Sequence, residues 1–205
     1  MPARAGIVPA VVGGGGVAAT AAVVGAARPQ ADTFETRCVT DVVWQPAYIG
    51  LGSNLGDPVA RLRTAIDALA EATDGRSIRV SPFYRTAPFG PVEQPHFVNA
   101  AVGLLTRLDP HELLAALRAL ERRLGRSPPR ERWGPREIDL DLLVHGTAQV
   151  SDEVLTLPHP GIPQRDFVLY PLRDIAPDLW VPGQGRVRGL AERVEDRGAE
   201  RLPWN

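Results

Sequence analysis

A chain of 205 residues that is 44% hydrophobic can bury one sizeable core and still carry a tail, and a net charge of −1 leaves no global basic field for a nucleic-acid backbone or a membrane surface. All 23 basic residues are arginine, and without lysine a P-loop NTPase, a protein kinase, a Schiff-base enzyme and a pyridoxal-phosphate enzyme are excluded as normally built. Cys38 stands alone, which excludes an internal disulfide or a Cys-based zinc site, and His96, His111, His145 and His159 show no metal-ligand spacing; a reducing, cytoplasmic setting fits.

Residues 1–45 differ from the rest. Met1 to Ala27 is almost wholly Ala, Gly, Val and Pro, and the stretch from Ala5 to Ala27 is uncharged. Its six glycines and Pro9 make a poor spanning helix, and it lacks the leucine-rich core of a signal peptide. The expectation is a disordered extension, with the folded domain over 46–205.

From Ala47 the pattern becomes regular. Ala47–Gly52 predicts a strand, and Asp57-Pro58 a capped helix start leading to a Leu62, Ile66, Leu69 stripe that runs to about Thr73. A second strand is expected over Ser77–Thr86, a proline-containing loop over Ala87–His96 and a third strand over Phe97–Thr106. Asp109 caps a helix whose Leu113, Leu114, Leu117, Leu120 and Leu124 face the core, ending at Gly125. After one more strand come Pro158-His159-Pro160, a short helix near Arg165–Ile175 and a polar tail. The order β-α-β-β-α-β predicts an α+β fold with a ferredoxin-like core, helices packed on a mainly antiparallel sheet, plus C-terminal additions.

That last strand carries the chemistry. Ile138-Asp139-Leu140-Asp141-Leu142 alternates apolar and acidic residues, so Asp139 and Asp141 share one face while Ile138, Leu140 and Leu142 enter a core. Paired carboxylates repel unless a cation lies between them, and Mg²⁺ takes one or two carboxylates together with substrate phosphates. A D-x-D on a strand is more often solvated surface. Here Arg118, Arg122, Arg123, Arg126, Arg130, Arg132 and Arg136 crowd the approach, offset only by Glu121 and Glu131. Local basicity in a neutral chain favours a small polyphosphate over nucleic acid.

Several motifs occur in order: Gly52-Ser53-Asn54-Leu55-Gly56, Phe83-Tyr84-Arg85-Thr86, Gly90-Pro91 with Gln94-Pro95, and Phe97-Val98-Asn99-Ala100-Ala101. They are followed by Arg132-Trp133-Gly134-Pro135-Arg136 with Asp139-x-Asp141, then Pro158-His159 with Arg165-x-Phe167. Together they closely resemble the 2-amino-4-hydroxy-6-hydroxymethyldihydropteridine pyrophosphokinases of folate biosynthesis, over about residues 47–182. The resemblance implies transfer of the β,γ-pyrophosphoryl group of ATP to the hydroxymethyl oxygen of a reduced pterin, releasing AMP. It implies two Mg²⁺ ions on Asp139 and Asp141, with Arg126 and Arg136 on the triphosphate completing the catalytic set. Glu121, Arg132, Arg136, Leu142, Thr156, His159 and Arg165 match positions of the ATP pocket. For the pterin, Phe97 and Phe167 match a stacking pair, Asn99 a ring-edge partner, Thr86, Ala87 and Phe89 a pocket wall, and Trp133 a cover. The implied partners are small molecules only, neither nucleic acid nor membrane, on a cytoplasmic monomer.

The chain departs from the family pattern at Pro128 and Pro129, where basic residues are common in a mobile loop, at Arg118 and Val154, and at Phe97, which lacks a tyrosine hydroxyl. Two rival readings stand beside the resemblance. Gly50-x-Gly52-x-x-x-Gly56 has the look of a dinucleotide-binding turn, but Tyr84-Arg85 stands where an acidic ribose-binding residue is expected. A ferredoxin-like sheet with exposed aromatics can also bind RNA, against which the near-neutral charge argues.

Overall fold

Strand β1, Gln45–Ser53, has two faces: Ala47, Ile49 and Leu51 are buried in one core, while Gly50 and Gly52 line a cavity on the other side. The computed structural model describes residues 43–127 and 134–203. Residues 1–42, which make up nearly all of the expected extension, and Pro128, Pro129, Arg132 and Trp133 lie outside the described residues.

Helix α1, Pro58–Ala72, starts where the Asp-Pro pair predicts, with the Asp57 side chain accepting the Ala60 N–H at 3.0 Å. Helix α2, Pro110–Arg123, opens on a reciprocal capping box between Asp109 and Glu112. Leu62 and Leu69 of α1 and Leu113, Leu117 and Leu120 of α2 pack against the Ile49 face of the sheet.

Strands β2, Arg76–Val80, and β3, Tyr84–Thr86, occupy the span expected to be one strand. The break falls at Ser81-Pro82-Phe83. Pro82 has no N–H to donate to the ladder, and beside it the Ser81 hydroxyl accepts the Ala101 N–H at 2.9 Å. Both strands pair antiparallel with β4, Phe97–Thr106, which pairs antiparallel with β1; β1 in turn pairs antiparallel with β5, Asp139–His145. β4 therefore separates the parallel β1 and β2, giving the split βαβ arrangement. The α+β expectation holds.

A bulge interrupts β5: Leu142 opposes Ile49 and Val144 opposes Tyr48, leaving Leu143 as the extra residue. This is why Leu142, Leu143 and Val144 are all buried instead of alternating. A short hairpin, β6 (Val150–Ser151) and β7 (Thr156–Leu157), leads to a 3₁₀ turn at Ile162–Gln164 and helix α3, Asp166–Ile175.

The polar tail proves to be structured. Strands β8 (Trp180–Val181) and β9 (Gly185–Arg186) form a hairpin, helix α4 (Val187–Ala191) follows, and β10 (Glu200–Arg201) adds to the edge of the sheet beside β3. Val187 and Leu190 of α4 join Leu169 and Leu172 of α3 in a second core with Leu143 and Val144. Those apolar positions are too widely spaced among arginines and acids to stand out in the sequence. One face of the sheet is thus covered by α1 and α2, and part of the other by α3 and α4. The cavity occupies the remainder of that second face.

Candidate active site

The cavity, about 290 Å³, is floored by three adjacent strands. Gly50 of β1 lies between Asp141 of β5 and Ala101 of β4, and Gly52 lies between Asp139 and Asn99. Space is tight at the second position: a Cβ on Gly52 would stand 3.0 Å from Asn99 Oδ1, which would have to shift. The two glycines thus leave a trough between a carboxylate rail and an amide rail.

On the carboxylate side Asp139 carries two ion pairs, Arg126 Nη2 at 2.9 Å on Oδ1 and Arg136 Nη1 at 2.6 Å on Oδ2. Arg126 also pairs with Glu121. Glu121, only 4% exposed, accepts the Leu140 N–H at 2.7 Å and so fixes α2 to the strand that bears both aspartates. Burial raises the Glu121 carboxyl above its ordinary range, against the pull of the Leu140 N–H and Arg126. Burial, with Asp139 alongside, pushes the Asp141 carboxyl up to about 7 despite Arg165 and Arg126. The shift comes first from burial and then from the like charge of Asp139. Among the described residues no three His, Cys, Asp or Glu side chains converge as a cation cage. Asp139 and Asp141 are the pair that can hold a divalent cation, with substrate oxygens supplying the remaining ligands.

His159 closes one wall. Its Nδ1 accepts the Gly161 N–H at 3.0 Å, and burial beside Arg165 lowers the ring to about 4. A neutral imidazole with Nδ1 occupied carries its proton on Nε2, so it is a hydrogen-bond donor there.

The lining is also aromatic. Phe89 and Phe167 meet edge-on, centroids 6.0 Å apart at 63°, and the Arg165 guanidinium lies 5.7 Å from each ring. Phe97 lines the same cavity. Asn99 donates to Thr86 Oγ1 at 2.7 Å, which orients the amide and leaves Oδ1 and one N–H for a ligand. A flat polar heterocycle against the aromatic rings and a polyphosphate against the charged groups is what such a trough can accommodate.

Of the residues singled out in the sequence, the cavity gathers Thr86, Ala87, Phe89, Phe97, Asn99, Arg126, Arg136, Asp139, Asp141, His159, Arg165 and Phe167. Glu121 stands behind it, acting on Arg126 and the Leu140 N–H. Leu142 is buried in the α1/α2 core and Thr156 is exposed on β7; neither lines the cavity. Arg132 and Trp133 fall outside the described residues. Sequence reasoning missed Leu143 and Val168 in the lining, and the role of Ser53 and Asn54. The Ser53 hydroxyl donates to the Glu137 carbonyl at 2.6 Å, and Asn54 Oδ1 accepts the Arg136 N–H at 2.9 Å. The polar Ser-Asn pair closing a strand was the available signal. Gly50 and Gly52 are strand residues and only Gly56 lies in the turn before α1, so the three do not form one phosphate-cradling turn, which removes the dinucleotide reading.

The model of the 7,8-dihydro-6-hydroxymethylpterin-pyrophosphokinase family matches residues 48–177. The chain belongs to this family. A pyrophosphokinase of that name from Methylorubrum extorquens is 47% identical over 156 residues, 76% of this chain and 98% of the relative. Its counterpart in Pseudomonas aeruginosa is 43% identical over 159 residues, 78% of this chain and 98% of the relative. Among solved structures, a wild-type Plasmodium falciparum HPPK-DHPS with pteroate superposes with a TM-score of 0.58 at 15% identity, over 74% of this chain. The chain spans only 42% of that protein, so the likeness speaks for the pyrophosphokinase fold alone.

Proposed function

We propose that this chain transfers a pyrophosphoryl group from ATP to the hydroxymethyl oxygen of 6-hydroxymethyl-7,8-dihydropterin, yielding the pterin diphosphate and AMP for folate biosynthesis. Membership of the family supports the reaction class. The observation that carries the assignment to this cavity is that one lining combines the charged Asp139, Asp141, Arg126 and Arg136 with Phe89, Phe97, Phe167 and Asn99.

The residues divide the work. Arg126 and Arg136 are rigid bidentate donors suited to phosphate oxygens, and both sit on Asp139, where they can exchange that carboxylate for a phosphate. His159 offers a neutral Nε2–H donor and Arg165 a third guanidinium for the nucleotide. Asn99, oriented by Thr86, reads the edge of a heterocycle that the phenylalanines hold by its faces, an arrangement worth roughly 0.5–1.5 kcal/mol per aromatic pair beyond area burial. Asp139 and Asp141 would hold magnesium, two ions in this reading, which neutralises phosphate charge and helps activate the hydroxymethyl oxygen. Phosphoryl chemistry of this kind depends chiefly on alignment and charge neutralisation. Small-molecule substrates suffice for the reaction, and we assign it to a cytoplasmic monomer.

AMP formation from ATP and Mg²⁺, measured with and without the pterin and alongside Asp139→Ala, tests the proposal. Pterin-dependent AMP without ADP, lost in the variant, is expected. Tight ATP binding with no AMP under any condition would sink it.

A further inference from the structure

Beyond residue 177, where the family match ends, the chain returns to the aromatic residues of the cavity. The Arg197 guanidinium carbon lies 4.9 Å from the centroid of Phe89. Its backbone N–H donates to Asp166 Oδ2 at 2.9 Å, and Asp166 Oδ1 accepts the N–H of Phe167 at 2.8 Å. Asp166 is a carboxylate only 2% exposed, and both oxygens that its fold position offers are engaged by backbone. The segment is tied at its other end as well, since β10 pairs with β3, the strand whose last residue, Thr86, leads into Phe89. Phe167, Asp166, Arg197, Phe89 and Thr86 therefore close a ring of contacts beside the cavity.

We infer that Arg197 is a positioning residue that sets the affinity for the flat heterocycle by holding Phe89 in place. Phe89 belongs to the coil between β3 and β4, and Arg197, Arg165 and Phe167 pack on its ring. Arg165 also packs on Phe89, but it lines the cavity and is needed by a phosphate-bearing ligand. Arg197 is outside the cavity lining and has no such second task. Its guanidinium is held by a backbone anchor that no side-chain substitution at 197 removes. Losing it lets Phe89 spread over several positions, and the ordering must then be supplied on binding. Arg126, Arg136 and Asp139, which carry the phosphate contacts through their own ion pairs, are not among the groups that Arg197 touches, so the change falls on the heterocycle. The inference rests on the pterin lying against the aromatic residues.

Steady-state kinetics of the full chain test it, varying the pterin at saturating ATP and Mg²⁺ and then ATP at saturating pterin. A cation–π contact at an exposed site is worth about 0.5–1 kcal/mol, so Arg197→Ala should raise the pterin KM about two- to fivefold. The ATP KM, kcat and Tm stay at wild-type values, and Arg197→Lys recovers part of the loss because a cation is kept. Asp166→Asn should move the pterin KM in the same direction, and the double variant should be no worse than the stronger single one, as expected of two links in one chain of contacts. An unchanged pterin KM in Arg197→Ala, or an ATP KM rising in proportion, overturns the inference while leaving the proposed reaction intact. Absence of pterin-dependent AMP from the wild type would overturn both.

Discussion

Gly161 donates its backbone N–H to Nδ1 of His159 at 3.0 Å, and this bond decides which end of the imidazole carries the proton. Burial beside Arg165 lowers the ring from 6.5 to about 4. His159 is therefore expected to stay neutral, protonated on Nε2, from pH 8 down to pH 5, as ¹⁵N NMR of the ring will report. The folded value lies below the unfolded one, so this group's contribution to stability is complete above pH 6.5 and is lost as pH falls from 6.5 toward 4. His159→Gln should lack that share of the acid destabilisation. A ring that titrates near 6.5 in the folded protein would contradict the assignment.

Asp139 is the meeting point of Arg126 and Arg136. Without substrate the guanidinium groups neutralise the carboxylate; with a triphosphate present they are free to exchange. Asp139→Ala and Asp141→Ala should each lower kcat by more than about 10³-fold, and Arg126→Ala by about 10²–10³-fold, the range for removing one preorganised charge donor. Single-turnover AMP release checks both magnitudes. Wild-type-like rates in either aspartate variant would reject these carboxylates as the cation site.

Asp141 predicts an opposition between stability and activity. Its carboxyl is raised from 3.8 to about 7 by burial and by Asp139. Since the folded value is above the unfolded one, holding the group ionised destabilises the cation-free protein, fully above pH 7 and progressively less as pH falls toward 4. Asp141→Asn should therefore raise Tm at pH 8 in the absence of Mg²⁺, with the gain fading by pH 5, while turnover is lost. Mg²⁺ should erase the difference by stabilising only the wild type. Scanning calorimetry at the two pH values, with and without the ion, decides it; a variant less stable than wild type at pH 8 counts against the argument.

Much of this molecule was legible in its sequence because local signals agreed with the tertiary result. Asp57-Pro58 and Asp109-Pro110 begin helices by backbone chemistry that no distant contact needs to supply. The 138–142 alternation placed two carboxylates on one face because strand side chains alternate regardless of context. What failed depends on partners far along the chain. The bulge at Leu143 is set by pairing with β1, and the order of the tail is set by β3 and α3, none of which leaves a periodic trace in the tail itself. Similarly, Gly50 and Gly52 resembled a ligand-binding turn until their neighbours were known: they clear a trough between Asp139 and Asn99 rather than bend the chain.

Asn54 supplies the most direct test of how the site is assembled. It is 3% exposed, and its amide spans two loops. Nδ2 donates to Gln94 Oε1 at 3.0 Å and to the Pro95 carbonyl at 3.1 Å, while Oδ1 accepts the Arg136 N–H at 2.9 Å. The loop before β4, which carries Phe89, is thereby joined to the backbone of Arg136. Three hydrogen bonds from this buried residue, at about 1 kcal/mol net each, imply that Asn54→Ala loses roughly 2–3 kcal/mol of stability. Because both loops lose their common brace, the KM values for pterin and ATP should rise together, unlike the one-sided effect expected at Arg197. Asn54→Asp keeps the acceptor for Arg136 but not the donor to Pro95, so its defect should fall mainly on the pterin side. Urea denaturation and paired KM measurements distinguish these outcomes. If Asn54→Ala matches wild type in both, the two loops are positioned independently and the amide only fills space.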